Sequence, residues 1–213
     1  MRANTTVRTL PDLLAKNRYF KHVIKKHGVP SWENRGTVYQ SLVRSIVYQQ
    51  VSGKAAASIL KKFISIFGTK FPTPQQVLQT PVATLRTAGL SSQKVSYILD
   101  LSTKINDGTI KPRAFAKMTN EQIVEHLTKV KGIGVWTAQM FLMSTLHRED
   151  VLPTLDLGIK KGFQIMYKLE ALPTHEEMEL MAKKWRPHAS LASWYLWRIA
   201  DEHKPVKKLV VRK

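Results

Sequence analysis

The chain reads as all-α. Apolar residues recur at three- and four-residue spacing, helix-start signals precede several of these runs, and no convincing alternation of strand type appears. Val38, Leu42, Val43, Ile46 and Val47 share one helical face, as do Ile59, Leu60, Phe63, Ile64 and Phe67. Thr73-Pro74-Gln75-Gln76 supplies an N-cap, a proline at the first helical position, where no N–H is needed, and a glutamine that closes a capping box. Thr80-Pro81 starts the next helix and Gly89 stops it. Thr119-Asn120-Glu121-Gln122 and Thr174-His175-Glu176-Glu177 are two further capping boxes. The spacing of these signals predicts about ten short helices joined by short loops. At the end of the chain, Val206 to Val211 reads as a short extended run. The basic tail Lys204–Lys213 reads as a frayed solvated end, a nuclear address or a phosphate arm.

Charge narrows the partner. The sequence holds 34 Lys and Arg against 15 Asp and Glu, a net charge of +19 spread along its length. Such a field favours salt-sensitive association with polyanions. Neither a long apolar span nor a Lys-rich amphipathic terminal helix points to a membrane. Nucleic acid is therefore the expected partner, a merely soluble basic protein being the alternative. The absence of cysteine excludes disulfides, Cys-ligated zinc and an iron–sulfur cluster. The seven histidines show no metal-ligand spacing. The N-terminal residues carry no apolar signal core, which predicts an intracellular protein. The length suits one domain or two intimate lobes.

The most informative stretch is Leu127–Ala138, a helix, a Gly132-Ile133-Gly134 hairpin and the first turn of a second helix. Gly-x-Gly lets backbone N–H groups approach a phosphate where a Cβ would obstruct. The second helix adds its unpaired N–H groups and positive dipole end to the same anion. Alone, this is also what a plain helix-to-helix turn looks like. The second piece is Leu152-Pro153-Thr154-Leu155-Asp156-Leu157-Gly158, beyond a helix expected from about Val135 to His147. Pro153 turns the chain, and Asp156 falls at the start of another helix, where the dipole favours its ionised form. A carboxylate so placed can stabilise an oxocarbenium-like sugar as an N-glycosidic bond breaks, or orient the attacking water. In isolation Asp156 reads as an N-cap; its spacing from the hairpin gives it the chemical role.

These segments, taken in order, resemble the helix-hairpin-helix DNA glycosylases, most closely the small 3-methyladenine glycosylases of the bacterial alkylation-inducible and yeast type. The resemblance runs from about Thr37 to Ala200. It is carried by Ser45–Ser52, Ala88–Lys94, Val130–Ala138, Leu155-Asp156-Leu157-Gly158, Trp185-Arg186-Pro187 and Trp194–Arg198.

The resemblance implies a bilobal all-α fold with a DNA-binding cleft between the lobes. Residues 35–147 would form a helical barrel lobe, 8–34 with 148–204 a second lobe carrying Asp156, and 205–213 the basic tail. It also implies a potassium or sodium ion on the carbonyls of Thr128, Val130 and Ile133, and no organic cofactor. The loop Gln49-Gln50-Val51-Ser52 would enter the minor groove with Gln50 as wedge, although a polar helix end explains Gln50 as well. Gly89-Leu90-Ser91 would fill the opposite strand, with Leu90 as an apolar plug. Phosphate contacts are expected from Lys94, Lys131, Gly132, Gly134, Trp136 and Thr137. Trp136 and Trp197 match aromatic positions around the base pocket, where electron-rich rings suit a base made cationic by alkylation. They would otherwise read as core tryptophans, the role kept here for Trp194 and Tyr195. Members that also cut the strand carry a lysine where this chain has Trp136, so Schiff-base chemistry is disfavoured.

Two departures stand out. Relatives commonly show Asp-Asp-Leu-Gly, whereas this chain has Leu155 before Asp156. They also tend to place an aromatic, Arg and Ser after Trp-x-Pro, against His188-Ala189-Ser190 here. If the missing acid and base normally pair to orient the carboxylate, Asp156 is expected to be poorly held. Three readings follow. The first is a monofunctional, monomeric glycosylase that hydrolyses alkylated purines from double-stranded DNA in base excision repair. The second is a catalytically weak or silent homologue that binds abasic or damaged sites. The third, a structural duplex-DNA binder, has no lesion preference. The expected location is the nucleus in a eukaryote, and the cytoplasm or nucleoid otherwise.

Overall fold

The computed structural model describes residues 11–32 and 36–203. The basic tail 205–213 and the extended run Val206–Val211 lie outside the described residues, as do residues 8–10, 33–35 and 204 of the expected lobes. In chain order the helices are α1 (Asp12–Ala15), α2 (Lys21–His27), α3 (Val38–Tyr48) and α4 (Gly53–Ser65). Then come α5 (Pro74–Leu78), α6 (Val82–Arg86), α7 (Ser92–Asn106), α8 (Asn120–Thr128) and α9 (Val135–Ser144). The last are α10 (Leu157–Tyr167), α11 (His175–Ala182) and α12 (Ala189–Glu202), and 3-10 turns span Pro112–Lys117 and Lys183–Trp185. No strand occurs among the described residues, so the all-α expectation holds.

The residues divide into two compact units. One ends at His147; the other comprises the chain up to Trp32 and from Arg148 onward. In the first, α3 packs on α4, α7 and α9, and α5 packs on α7. The face read from spacing is the buried one: Leu42, Val43, Ile46, Val47 and Phe63 are inaccessible to solvent. One polar chain crosses this core. Tyr39 Oη and Ser102 Oγ lie 2.7 Å apart, and Ser102 donates to the Ile98 carbonyl at 2.7 Å. Burial pushes the Tyr39 hydroxyl up to about 12, against a smaller opposing effect of the Ser102 bond, so it stays protonated.

In the second unit, Phe20, Phe163, Trp185, Tyr195 and Leu196 form an aromatic-rich core. Tyr195 is fully buried and Trp194 packs at the edge of that core. Here α10 lies on α12. The approach is close because Gly162 faces the Leu196 backbone: a Cβ at Gly162 would sit 2.5 Å from its carbonyl oxygen.

The predicted capping boxes form at Thr73, Thr119 and Thr174, each with side chain and backbone bonds in both directions. A fourth, Thr37 with Gln40, opens α3 and went unread in the sequence. Two expected boundaries shift. Pro81, rather than Thr80, is the N-cap of α6; the Thr80 hydroxyl bonds back to the Gln76 carbonyl at 2.8 Å. The helix expected over Val135–His147 ends at Ser144: Thr145 still makes the helical bond to the Phe141 carbonyl at 2.9 Å, but the Leu146 N–H reaches back five residues to that same carbonyl at 3.2 Å. Gly89 ends the α6 segment as expected, at φ +89°, with its N–H on the Arg86 carbonyl.

Gly162→Ala will overpack the α10–α12 contact and cost about 2 kcal/mol. The check is the thermal midpoint; an unchanged midpoint would contradict so close an approach.

Candidate catalytic and DNA-binding residues

In the second unit the chain reaches Asp156 through a loop stapled to α12. Ser190 Oγ donates to the Arg148 carbonyl at 2.6 Å and accepts the Val151 N–H at 3.0 Å. Ser193 Oγ donates to the Val151 carbonyl at 3.3 Å, and Thr154 Oγ1 lies 2.8 Å from His175 Nδ1. Arg186 braces the loop, reaching Asp150 at 2.9 Å and Glu179 at 2.7 Å. Burial disfavours its charge, but bonds to Glu179 and Asp150 outweigh that and hold its pKa above the ordinary arginine value.

Asp156 is the N-cap of α10: its Oδ1 accepts the Ile159 N–H at 2.9 Å. The same oxygen accepts the Trp197 indole N–H at 2.9 Å. Gly158 makes room for this pair, since a Cβ there would lie 2.9 Å from Trp197 Cδ1 and 3.0 Å from Asp156 Oδ1. The glycine of Leu-Asp-Leu-Gly thus has a steric purpose that the sequence reading did not assign. Capping and chemistry are compatible uses of one carboxylate. The expectation that Asp156 is poorly held is corrected by these two donors. Leu155 is 63% exposed and Ala189 fully buried, so their environments do not match those of an acid–base pair. Trp197, expected as a base-pocket ring, is half-buried and has its indole N–H committed to Asp156.

In the first unit the hairpin follows the expected plan. Gly132 turns at φ +78°, and a Cβ there would collide with the Tyr97 ring. Gly134 is the N-cap of α9 and carries no capping side chain, so the first-turn N–H groups are not satisfied by a cap. Trp136 stands 45% exposed on that first turn. Thr137, expected as a phosphate contact, is buried as a whole residue. Lys131 has an exposed side chain, but its backbone N–H is donated to Asp100 Oδ2 at 2.8 Å. The carbonyls of Thr128, Val130 and Ile133 are neutral, hard oxygens beside the C-terminal, negative end of α8, the donor set a monovalent cation takes. Val130 O accepts the Ile133 N–H at 3.1 Å, which uses one of its two lone pairs.

The loops differ more from expectation. Leu90 is 3% exposed and belongs to the core, so it is not an available plug. Ser91 beside it is the N-cap of α7, accepting the Lys94 N–H at 3.2 Å, and Ser52 caps α4 in the same way at 3.3 Å. Gln50 is exposed at φ +56°, a left-handed conformation rare for residues other than glycine and typical of strained functional positions. Val51 is exposed next to it. Gln49 does not reach outward, because its Nε2 donates to the Gly132 carbonyl at 2.8 Å. Lys94, expected on phosphate, donates to the carbonyls of Val47 and Gln49 at 2.7 and 2.8 Å. It satisfies the orphan carbonyls at the end of α3, keeping one of three donors. Burial lowers its pKa.

These elements can be set against known proteins. The model of the HhH-GPD superfamily of base excision DNA repair proteins matches residues 43–187. The chain belongs to that superfamily. It is 34% identical to DNA-3-methyladenine glycosylase 1 of Schizosaccharomyces pombe, over 79% of this chain and 76% of that protein. It is 33% identical to the alkylbase DNA glycosidase-like protein mag2 of the same yeast, over 78% of this chain and 79% of that protein. A solved S. pombe 3-methyladenine DNA glycosylase in complex with abasic DNA superposes with a TM-score of 0.76 at 30% identity, covering 92% of this chain and 98% of that one. The HhH-GPD match spans the wedge loop, the hairpin and Asp156 alike.

Lys94→Met will strip the end of α3 of both carbonyl contacts at a cost of about 1 kcal/mol. Hydrogen exchange at residues 49–52 will then quicken; unchanged protection there would show that the clamp is dispensable.

Proposed function

We propose that this HhH-GPD protein is a monofunctional, monomeric DNA glycosylase that removes alkylated purines of the 3-methyladenine type from double-stranded DNA in base excision repair. The observation that carries the reading is the Asp156 carboxylate held by the Ile159 and Trp197 donors. Relatives named for 3-methyladenine support the choice of base.

Alkylation makes the purine cationic, so the C1′–N9 bond breaks with its electron pair passing to the base and cancelling that charge. Positive charge then develops on the sugar, and the ionised Asp156 stabilises it at fixed geometry. Water adds to C1′ and gives up a proton, leaving an abasic deoxyribose. Trp197 is a positioning residue, since it acts through Asp156. The exposed Trp136 ring offers a cationic base stacking and cation–π attraction. No amine stands at position 136, so the sugar is not captured as a Schiff base and the strand is not cut. Backbone N–H groups of the first turn of α9, which has no side-chain cap, and the exposed Lys131 side chain take the phosphate. The carbonyls of Thr128, Val130 and Ile133 would hold a potassium or sodium ion, adding positive charge beside it. The exposed, strained Gln50 with Val51 is the wedge. Action on DNA supports a location in the nucleus in a eukaryote, and in the cytoplasm or nucleoid otherwise.

Release of methylated bases from alkylated duplex DNA at enzyme excess tests this. Wild type will release base, and Asp156→Asn will be slower by on the order of a hundredfold or more while still binding abasic duplex. No release by folded wild-type protein would sink the enzymatic reading and leave non-enzymatic binding of abasic or damaged sites. Trp197→Phe keeps the ring and removes the donor. It will lower the single-turnover rate by about tenfold with DNA affinity unchanged; an equal loss in affinity would mean that Trp197 contacts DNA instead.

A further inference from the structure

We propose that Asp100 on α7 is a positioning residue for DNA binding, fixing the hairpin through the Lys131 backbone N–H. A carboxylate is an unexpected neighbour for a phosphate-binding turn in a chain of charge +19. Its Oδ2 nevertheless accepts the Lys131 N–H at 2.8 Å, immediately before Gly132. Lys104, one turn along α7, donates to both carboxylate oxygens at 2.6 and 2.7 Å. The pair is largely buried, with side chains 16% and 22% exposed, and is formally neutral, so Asp100 offers the hairpin an acceptor without offering phosphate a net repulsion.

Asp100 is the last rung of a ladder. Positions three apart on a helix are neighbours, and Lys94, Tyr97 and Asp100 follow in such steps. Lys94 clamps the loop that follows α3, the Tyr97 ring fills the space beside Gly132, and Asp100 takes the Lys131 N–H. Gln49 closes the circuit by donating to the Gly132 carbonyl. The wedge loop and the phosphate hairpin are thus referenced to one helix, which sets their spacing.

Burial pushes the Asp100 pKa up, but bonds from Lys104 and the Lys131 N–H outweigh it and hold the carboxyl below its ordinary value. The acceptor is therefore ionised at neutral pH.

The test has two readouts, because the inference rests on DNA as the ligand. Binding to intact and abasic duplex will weaken about tenfold in Asp100→Leu, the worth of one charge-assisted bond. Asp100→Asn keeps an acceptor and will stay within about twofold of wild type. Lys104→Met exposes the hairpin to an unpaired carboxylate and will weaken binding most at low salt, and adding Asp100→Asn will restore it. Hydrogen exchange of the 131–134 amides without DNA will speed up in Asp100→Leu and not in Asp100→Asn. Wild-type affinity in Asp100→Leu overturns the inference, as do unchanged amide protection and an Asp100→Asn defect equal to that of Asp100→Leu. Wild-type protein that binds neither duplex overturns the glycosylase reading and the DNA-binding role of Asp100 together, whereas wild-type binding that Asp100→Leu leaves unchanged overturns this inference alone. If Asp100→Leu does not fold, Lys104→Met and its double variant carry the same decision.

Discussion

The close seating of α12 on α10 governs the part of the molecule that carries the carboxylate. Two glycines one helical turn apart, Gly158 and Gly162, leave no Cβ between the helices, so Leu196 backbone and the Trp197 ring lie against α10. The Trp197 indole can then reach Asp156 Oδ1 at 2.9 Å. That oxygen is already the cap of α10, so the helix start and the reactive group have one position between them. Ser190 and Ser193, on the buried side of the same α12, fasten the incoming loop. A single helix contact thus fixes the direction from which the chain enters, the orientation of the carboxylate and the ring beside it.

The unit that carries the hairpin obeys the same economy with a different device. Its central element is α7, whose Lys94, Tyr97 and Asp100 engage successive pieces of neighbouring loops. Backbone groups that ordinarily go unsatisfied at helix ends and turns find partners on this one helix. The start of α9 carries no capping side chain, and an anion can bind there. The loop tip at Gln50 is left in a costly left-handed conformation, held there by the Gln49 and Lys94 contacts on its near side.

Electrostatics works on two scales in this protein. The overall excess of lysine and arginine draws in a polyanion from a distance. Within bonding distance, individual carboxylates are paired so that they serve as acceptors and do not repel: Asp100 with Lys104, and Asp150 and Glu179 around Arg186. Asp156 Oδ1 accepts two neutral N–H groups, from Ile159 and the Trp197 indole, which orient the carboxylate.

Much of this was determined by the sequence alone, wherever the physics is local. Helical periodicity, the capping boxes at Thr73, Thr119 and Thr174, the two-glycine hairpin and the N-cap position of Asp156 each depend on a few adjacent residues, and each stands as read. Tertiary structure decided the rest. Leu90 looks like a plug in a loop of small residues, yet the fold buries it. Lys94 looks like a phosphate ligand, yet the end of α3 claims it, 45 and 47 residues away in sequence. Asp100 and Lys104 lie four residues apart on one helix, and only the folded chain brings Lys131 to them. The value of a polar side chain depends on which unsatisfied backbone group arrives beside it. That is set by helix packing between distant segments, and neither spacing nor composition encodes it in a form that can be read along the chain.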